Sequence, residues 1–299
     1  MKVNELLKSI ILMLIFLMII PIFIKNIGNQ YAELSKEKTK IGIISFKKTL
    51  KDAEPYIKNL TTLFKDKSIK AILLKMDCGG GAAGTSQTIF NELKALKQKY
   101  PKPVIVFVEN VCASGAYYIA CAADVIISSS SAFIGSIGVY IPHPELKEFI
   151  EQFKIKYNVI KTGSFKTVGD PFLQETPEQR SMLQDLTDAT YKQFVDDVAA
   201  QRPKLSKNTD EWAQGKIFTG DQAKNIGLID KVGSPTTVEQ EIRDRITIIG
   251  EIEWIKTGES SFFSRYFENL DEESFSGLVA QKIMQAAGLS QEQGLHAHT

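Results

Sequence analysis

Short apolar runs of strand length alternate with helix-like stretches through the first half of the chain. Ile41-Gly42-Ile43-Ile44-Ser45-Phe46 opens the series, and similar runs follow at 71–74, 104–108 and 125–128. Between them, residues 56–64 and 86–99 carry helical spacing. Runs this short cannot bury themselves as isolated helices, and their alternation with helices predicts an α/β domain with largely parallel strand pairing.

Further along, Thr176-Pro177-Glu178-Gln179 has the form of a helix start. Thr176 is placed as N-cap, Pro177 in the first turn, and Gln179 closes a capping box. The helix is expected to run to about Gln201, with Met182, Leu186, Ala189, Phe194 and Val198 on a face that meets the core or another subunit. After about residue 258 the pattern becomes irregular. A second amphipathic stretch, 275–287, precedes Gly288 as a possible C-cap, and the polar tail 291–299 is expected to be disordered.

The amino terminus follows a different pattern. Residues 10–24 are all apolar, and the span 6–27 makes a helix of about 33 Å, enough for a bilayer core of roughly 30 Å. Lys8 and Lys25 can snorkel to the two interfaces. No small-x-small cleavage site follows, so the segment is expected to stay as a membrane anchor, with 28–39 as a polar stalk and 40–257 as the main globular domain. Flanking charge does not fix orientation: Lys2 and Lys8 precede the span, whereas Lys25, Lys36, Lys38 and Lys40 follow it.

Composition narrows the classes. With 299 residues and 43% hydrophobic content the chain can bury a substantial core. A net charge of +1, without an arginine-rich patch, argues against nucleic acid as a partner. Cys78, Cys112 and Cys121 are odd in number and not spaced as metal ligands; they are expected to be buried small hydrophobes, and no metal or cofactor is called for.

The candidate chemistry lies in Ser114, within Ala113-Ser114-Gly115-Ala116-Tyr117-Tyr118, and Lys166, within Gly163-Ser164-Phe165-Lys166-Thr167-Val168-Gly169. They read as nucleophile and base of a serine hydrolase without a histidine. Of the three histidines, His296 and His298 lie in the polar tail, and only His143, between Pro142 and Pro144, offers a triad alternative. A serine hydroxyl needs a partner to take its proton, and a buried, unprotonated lysine can do so. Gly79-Gly80-Gly81 follows a strand, where backbone N–H groups of Gly80 and Gly81, with that of Gly115, can meet a developing oxyanion. The absence of a following Gly-Lys-Ser/Thr argues against a phosphate loop. Each motif also has a plain structural reading: tight packing for Ser114, a surface side chain for Lys166, turns for the glycine run and for Gly135-Ser136-Ile137-Gly138.

Taken in order, these motifs, with Gly215-Lys216-Ile217-Phe218-Thr219-Gly220 and Gly227-Leu228-Ile229-Asp230, resemble the S49 family of membrane-bound serine peptidases in its short, single-repeat form, over roughly residues 40–235. The resemblance implies a crotonase/Clp-protease-like fold of ββα units and Ser114 and Lys166 as a catalytic dyad. It also implies Ser136 as a supporting hydroxyl that holds the lysine amine. Lys161, before Thr162-Gly163, is not the base in the family pattern. The substrates implied are peptides, in particular remnant signal peptides. The implied setting is a homo-oligomeric ring at the cell membrane with its catalytic domain on the exported side. Asp77-Cys78-Gly79-Gly80-Gly81 departs from the family's Asn-Ser-Pro-Gly-Gly, which leaves the oxyanion loop less constrained. Two alternatives remain: a crotonase-like acyl-CoA hydratase or hydrolase, and a non-catalytic scaffold that binds membrane peptides.

Overall fold

The computed structural model describes residues 37–257 and, in the amino-terminal segment, the helical positions Met13, Phe16, Leu17, Ile20, Pro21 and Lys25. The rest of the expected anchor, most of the stalk and the carboxy-terminal extension lie outside the described residues. Among the described residues no helix is long and apolar enough to cross a membrane.

The predicted alternation is present. β1 (Lys38–Phe46), β2 (Ile69–Cys78), β3 (Val104–Ala113) and β4 (Val125–Ser128) are joined through α1 (Glu54–Lys65), α2 (Ala83–Lys99) and α3 (Gly115–Ala120). β5 (Phe133–Gly135), α4 (Lys147–Gln152) and α5 (Pro177–Gln201) follow. Then come β6 (Ile217–Thr219), α6 (Gly220–Ile226), β7 (Lys231–Val232), α7 (Pro235–Arg245) and β8 (Glu251–Lys256). Among the described residues, eight strands form one sheet, ordered β6-β5-β3-β2-β1-β8, with β4 between β3 and β7 off this path. β1 to β5 and β7 pair in parallel, and β5 with β6 is antiparallel.

Both faces of this sheet are covered, which is why its strands read as nearly unbroken apolar runs. Ile44, Phe46, Ile72, Leu74, Val106 and Val108 point into a large core against α1, α2 and α3. Their neighbours Ile43, Ala71, Leu73, Ile105 and Phe107 pack with Val238 and Ile242 of α7 on the other side. The three cysteines are buried and unbridged, as expected. Burial pushes the Cys112 thiol well up and that of Cys121 up to about 12, so both remain neutral and inert.

Two features depart from the sequence pattern. β3 runs five residues beyond the expected 104–108; its first half pairs with β4 and its end, Val111 to Ala113, with β5. The polar pair Glu109-Asn110 interrupts the apolar signal at the point where β3 changes partner. α5 begins and ends where expected, with Thr176 and Gln179 forming the capping box. Its face meets the core through Phe194, Val195 and Val198, with Tyr191 packed against the same core, while Leu186 is exposed.

Candidate functional site

Ser114 stands where β3 passes directly into α3, and the chain makes this change of direction at one residue. Its φ is 52° and ψ −127°, a region that non-glycine residues seldom occupy and that costs on the order of 1–3 kcal/mol. A serine at an N-cap normally accepts a hydrogen bond from the first helical turn; Ser114 makes no such bond, and its side chain is half-buried. The backbone is held from β5 on one side and from within α3 on the other. Ser114 N–H donates to Gly135 O (2.7 Å), and Tyr118 N–H donates to Ser114 O (3.0 Å). Downstream, Tyr117 Oη donates to Leu228 O (2.7 Å), and Tyr118 donates to Asp197. These bonds fasten α3 to the carboxy-terminal part of the domain.

The glycine run lies against this junction. A Cβ on Gly80 would sit 2.8 Å from Ser114 Cβ and 2.7 Å from Gly115 N, and Gly80 has φ of 102°. A Cβ on Gly115 would meet Ser86 Oγ at 2.0 Å and Gly81 N at 3.4 Å. Only side-chain-free backbone allows these segments to come so close. Leu50 pins the loop from the other side, donating to Gly80 O (3.0 Å) and accepting from Ala82 N–H (2.8 Å).

Gly80 N–H donates to Cys78 Sγ (3.3 Å), and the Cys78 thiol in turn lies 3.1 Å from Lys48 O. Of the three amides expected to meet an oxyanion, Gly80 is thus engaged by Cys78 Sγ, and Gly81 and Gly115 remain the candidates. Gly115 is the first residue of α3, whose N–H has no partner within the helix. Burial raises the Cys78 thiol above its ordinary range, so it stays protonated and serves as a hinge pin of the loop. The sequence marked Cys78 only as a small apolar residue; its position two residues before Gly80 was the available signal.

Ser136 is brought beside Ser114. Ala113 and Gly135 are register partners in parallel strands, so the two serines leave their strands side by side. Ser136 shares the φ of 52°. It donates its N–H to Lys216 O (2.7 Å), and Gly215 N–H donates to Ile137 O (2.8 Å). The Gly215–Gly220 motif thus acts as the clamp for the Ser136 turn.

Lys166 is not brought to Ser114 by any hydrogen bond or ion pair among the described residues. It lies exposed in a turn, with its N–H donating to Gly163 O (3.3 Å). The surrounding stretch carries exposed apolar side chains, among them Tyr140, Phe149, Phe153, Ile160 and Phe165. Lys161 is engaged within the same turn, donating to Ser164 O (3.2 Å) and Thr167 Oγ1 (2.9 Å). His143 Nε2 lies 3.6 Å from Glu175 Oε1, beyond hydrogen-bond distance, and Arg180 Nε pairs with Glu175 Oε2 at 3.1 Å. Among the described residues no cluster of His, Cys, Asp and Glu is arranged to hold a metal ion.

The site thus sets a serine of positive φ at a strand-to-helix elbow, with a glycine loop at its side, on a largely parallel sheet. The sequence model for "Peptidase family S49" matches residues 96–248, a span that includes Ser114, Ser136 and Lys166. The chain belongs to this family. It is 37% identical over 189 residues to "Putative protease MJ0651" of Methanocaldococcus jannaschii, covering 63% of this chain and 60% of that protein. It is 30% identical over 178 residues to "Putative signal peptide peptidase SppA" of Enterococcus faecium (60% and 52%). Identity to "Serine protease SPPA, chloroplastic" of Arabidopsis thaliana is 32% over 182 residues (60% and 27%). The chain therefore spans between about a quarter and three fifths of the length of these relatives.

Proposed function

We propose that this protein is a membrane-anchored serine endopeptidase, with Ser114 as nucleophile and Lys166 as general base, acting on remnant signal peptides or other membrane-associated peptides. The observation that carries the proposal is the state of Ser114: an N-cap serine that does no capping, at φ 52°, set against a glycine loop. Strain of this kind persists where the surroundings over-determine it, and a structural serine has no use for it. Ser114 Oγ attacks the substrate carbonyl as Lys166 takes its proton. Gly81 and Gly115 N–H meet the oxyanion, and Lys166 passes the proton to the leaving amine. Water then hydrolyses the Ser114 ester with Lys166 again as base. Ser136, which follows the register partner of Ala113, accepts a hydrogen bond from the lysine amine in this reading.

A lysine base must be desolvated, and Lys166 is exposed in the single chain. The apolar side chains around it support assembly of identical subunits into a closed ring, in which a neighbouring copy covers the 140–165 segment. The parallel strands joined through helices support a crotonase/Clp-like arrangement of ββα units. The fifteen apolar residues at 10–24, with exposed apolar side chains at helical Met13, Phe16 and Leu17, support a single-pass anchor in the cell membrane with the catalytic domain exported. The names of the relatives from Enterococcus faecium and Arabidopsis thaliana support the substrate class and the serine type.

The test uses the full chain in mild detergent with synthetic signal peptides, products read by mass spectrometry, beside a Ser114→Ala variant. Cleavage by the parent alone, with a serine-directed phosphonate adduct mapped to Ser114, is the expected result. Equal cleavage by Ser114→Ala refutes the proposal.

A further inference from the structure

The side chain of Gln179 performs two tasks at once. Its Oε1 accepts from Thr176 N–H (3.1 Å) as the return half of the α5 capping box. Its Nε2 donates to Ser164 O (3.0 Å), a carbonyl two residues before Lys166. Gln179 is 5% exposed although it sits in the first turn of a helix whose neighbouring positions face solvent. A glutamate at this position would serve the capping box equally well. What the amide adds is a buried donor aimed out of the helix.

Ser164 O is the point where the turn is gripped. Lys161 Nζ reaches the same oxygen from the exposed side at 3.2 Å and braces Thr167 Oγ1 as well. Lys166 N–H closes the turn onto Gly163 O, directly before Ser164. Elsewhere the segment is anchored at its margins, through Leu146 N–H to Pro171 O (2.6 Å) and Tyr157 Oη to Asp170 Oδ2 (2.9 Å). Gln179 is thus the buried tie between the Lys166 turn and the rigid end of a long helix.

We propose that Gln179 is a positioning residue for the general base: by donating to Ser164 O it fixes the Lys166 turn relative to α5, so that assembly presents the amine in one place. This rests on Lys166 being the base. The experiment compares Gln179→Glu with the parent in the full chain, by steady-state peptide hydrolysis, by the rate of Ser114 phosphonylation and by thermal melting. The substituted carboxylate keeps the capping acceptor and loses the donor, facing Ser164 O with another oxygen. The expected result is a kcat and a phosphonylation rate lower by roughly 10- to 100-fold, the scale of a misplacement of about 1 Å. KM should stay within about twofold, and the melting midpoint within a few degrees. A kcat and phosphonylation rate within about twofold of the parent overturn the proposal, as does a loss of activity only in proportion to unfolded protein. If the glutamate variant does not fold, Gln179→Met is held to the same rate criteria. Lys166→Ala, run in parallel, separates the two levels. An active Lys166→Ala removes the base assignment and the proposal with it; an inactive one beside an unimpaired Gln179→Glu removes the positioning role alone.

Discussion

Two adjacent glycines should respond oppositely to the same added methyl group. Gly80 has φ of 102°, and a Cβ there would fall 2.7–2.9 Å from Gly115 N, Ser114 Cβ and Ala113 O. Two of these three atoms are backbone, which cannot rotate away as a flexible side chain can. A positive φ for alanine costs about 1–2 kcal/mol, and overpacking typically adds about 1–3 kcal/mol, so Gly80→Ala should destabilise by about 2–5 kcal/mol. Gly79, by contrast, is exposed, and an added Cβ would meet nothing within 4 Å. Gly79→Ala should be neutral or stabilising by up to about 1 kcal/mol, through loss of unfolded-chain entropy. Urea melts of both variants give the stabilities, and phosphonate labelling of Ser114 gives the state of the site. Labelling should fall steeply in Gly80→Ala, because relief of the clash moves the loop away from Ser114, and stay near parental in Gly79→Ala. A Gly80→Ala variant within about 0.5 kcal/mol of the parent and labelled at the normal rate would refute the close-approach reasoning.

Ser114→Ala and Lys166→Ala should each abolish peptide hydrolysis with the fold intact by circular dichroism, and the double variant should lose no more than either single one; additive losses would separate the two residues. Asp230→Ala should destabilise by about 3–5 kcal/mol in urea melts with kcat per folded molecule unchanged, because it strands Arg202. Arg202 is buried and makes two 2.9 Å bonds to the carboxylate, which also accepts from Ile126 N–H at 2.8 Å. Light scattering of the full chain in mild detergent should show a closed oligomer, dissociated by Phe149→Glu together with Ile160→Glu; a fully active monomer would count against the ring.

What the sequence displayed was periodicity and caps. The strands at 41–46, 71–74 and 125–128 were legible because both faces of the sheet are buried and their residues are uniformly apolar. Thr176 and Gln179 were legible because capping is a local interaction four residues long. The extension of β3 to Ala113 was not, since Glu109 and Asn110 carry no strand signal and the pairing that holds Val111 to Ala113 lies with β5. Leu186 shares the apolar period of α5 but is exposed in the single chain, because the helix meets the core through its second half, and at its first turn Gln179 reaches the Lys166 turn instead. At the site, the motifs were visible one by one. That Gly80 touches Ser114, and that Ser136 stands abreast of it, depends on a register between strands that no single-sequence pattern encodes. Cys78 and Gln179 were seen as ordinary apolar and capping residues because the contacts that set them apart, to Lys48 O and Ser164 O, are tertiary.

The two halves of the candidate site differ in how they are held. The serine half is fixed by strand register, by glycine contacts below van der Waals distance for any side chain, and by buried tyrosines whose hydroxyls burial drives far above their usual range. The lysine half hangs from α5 by Gln179 and from its own turn by Lys161, with apolar side chains facing out. Removing water from an amine favours its neutral, proton-accepting form, and on the proposed assignment the exposed Lys166 still lacks that cover. Covering the 140–165 segment would desolvate the amine and bury the apolar side chains in the same step. Activity would then depend on assembly through burial itself, without any rearrangement of the rigid serine half.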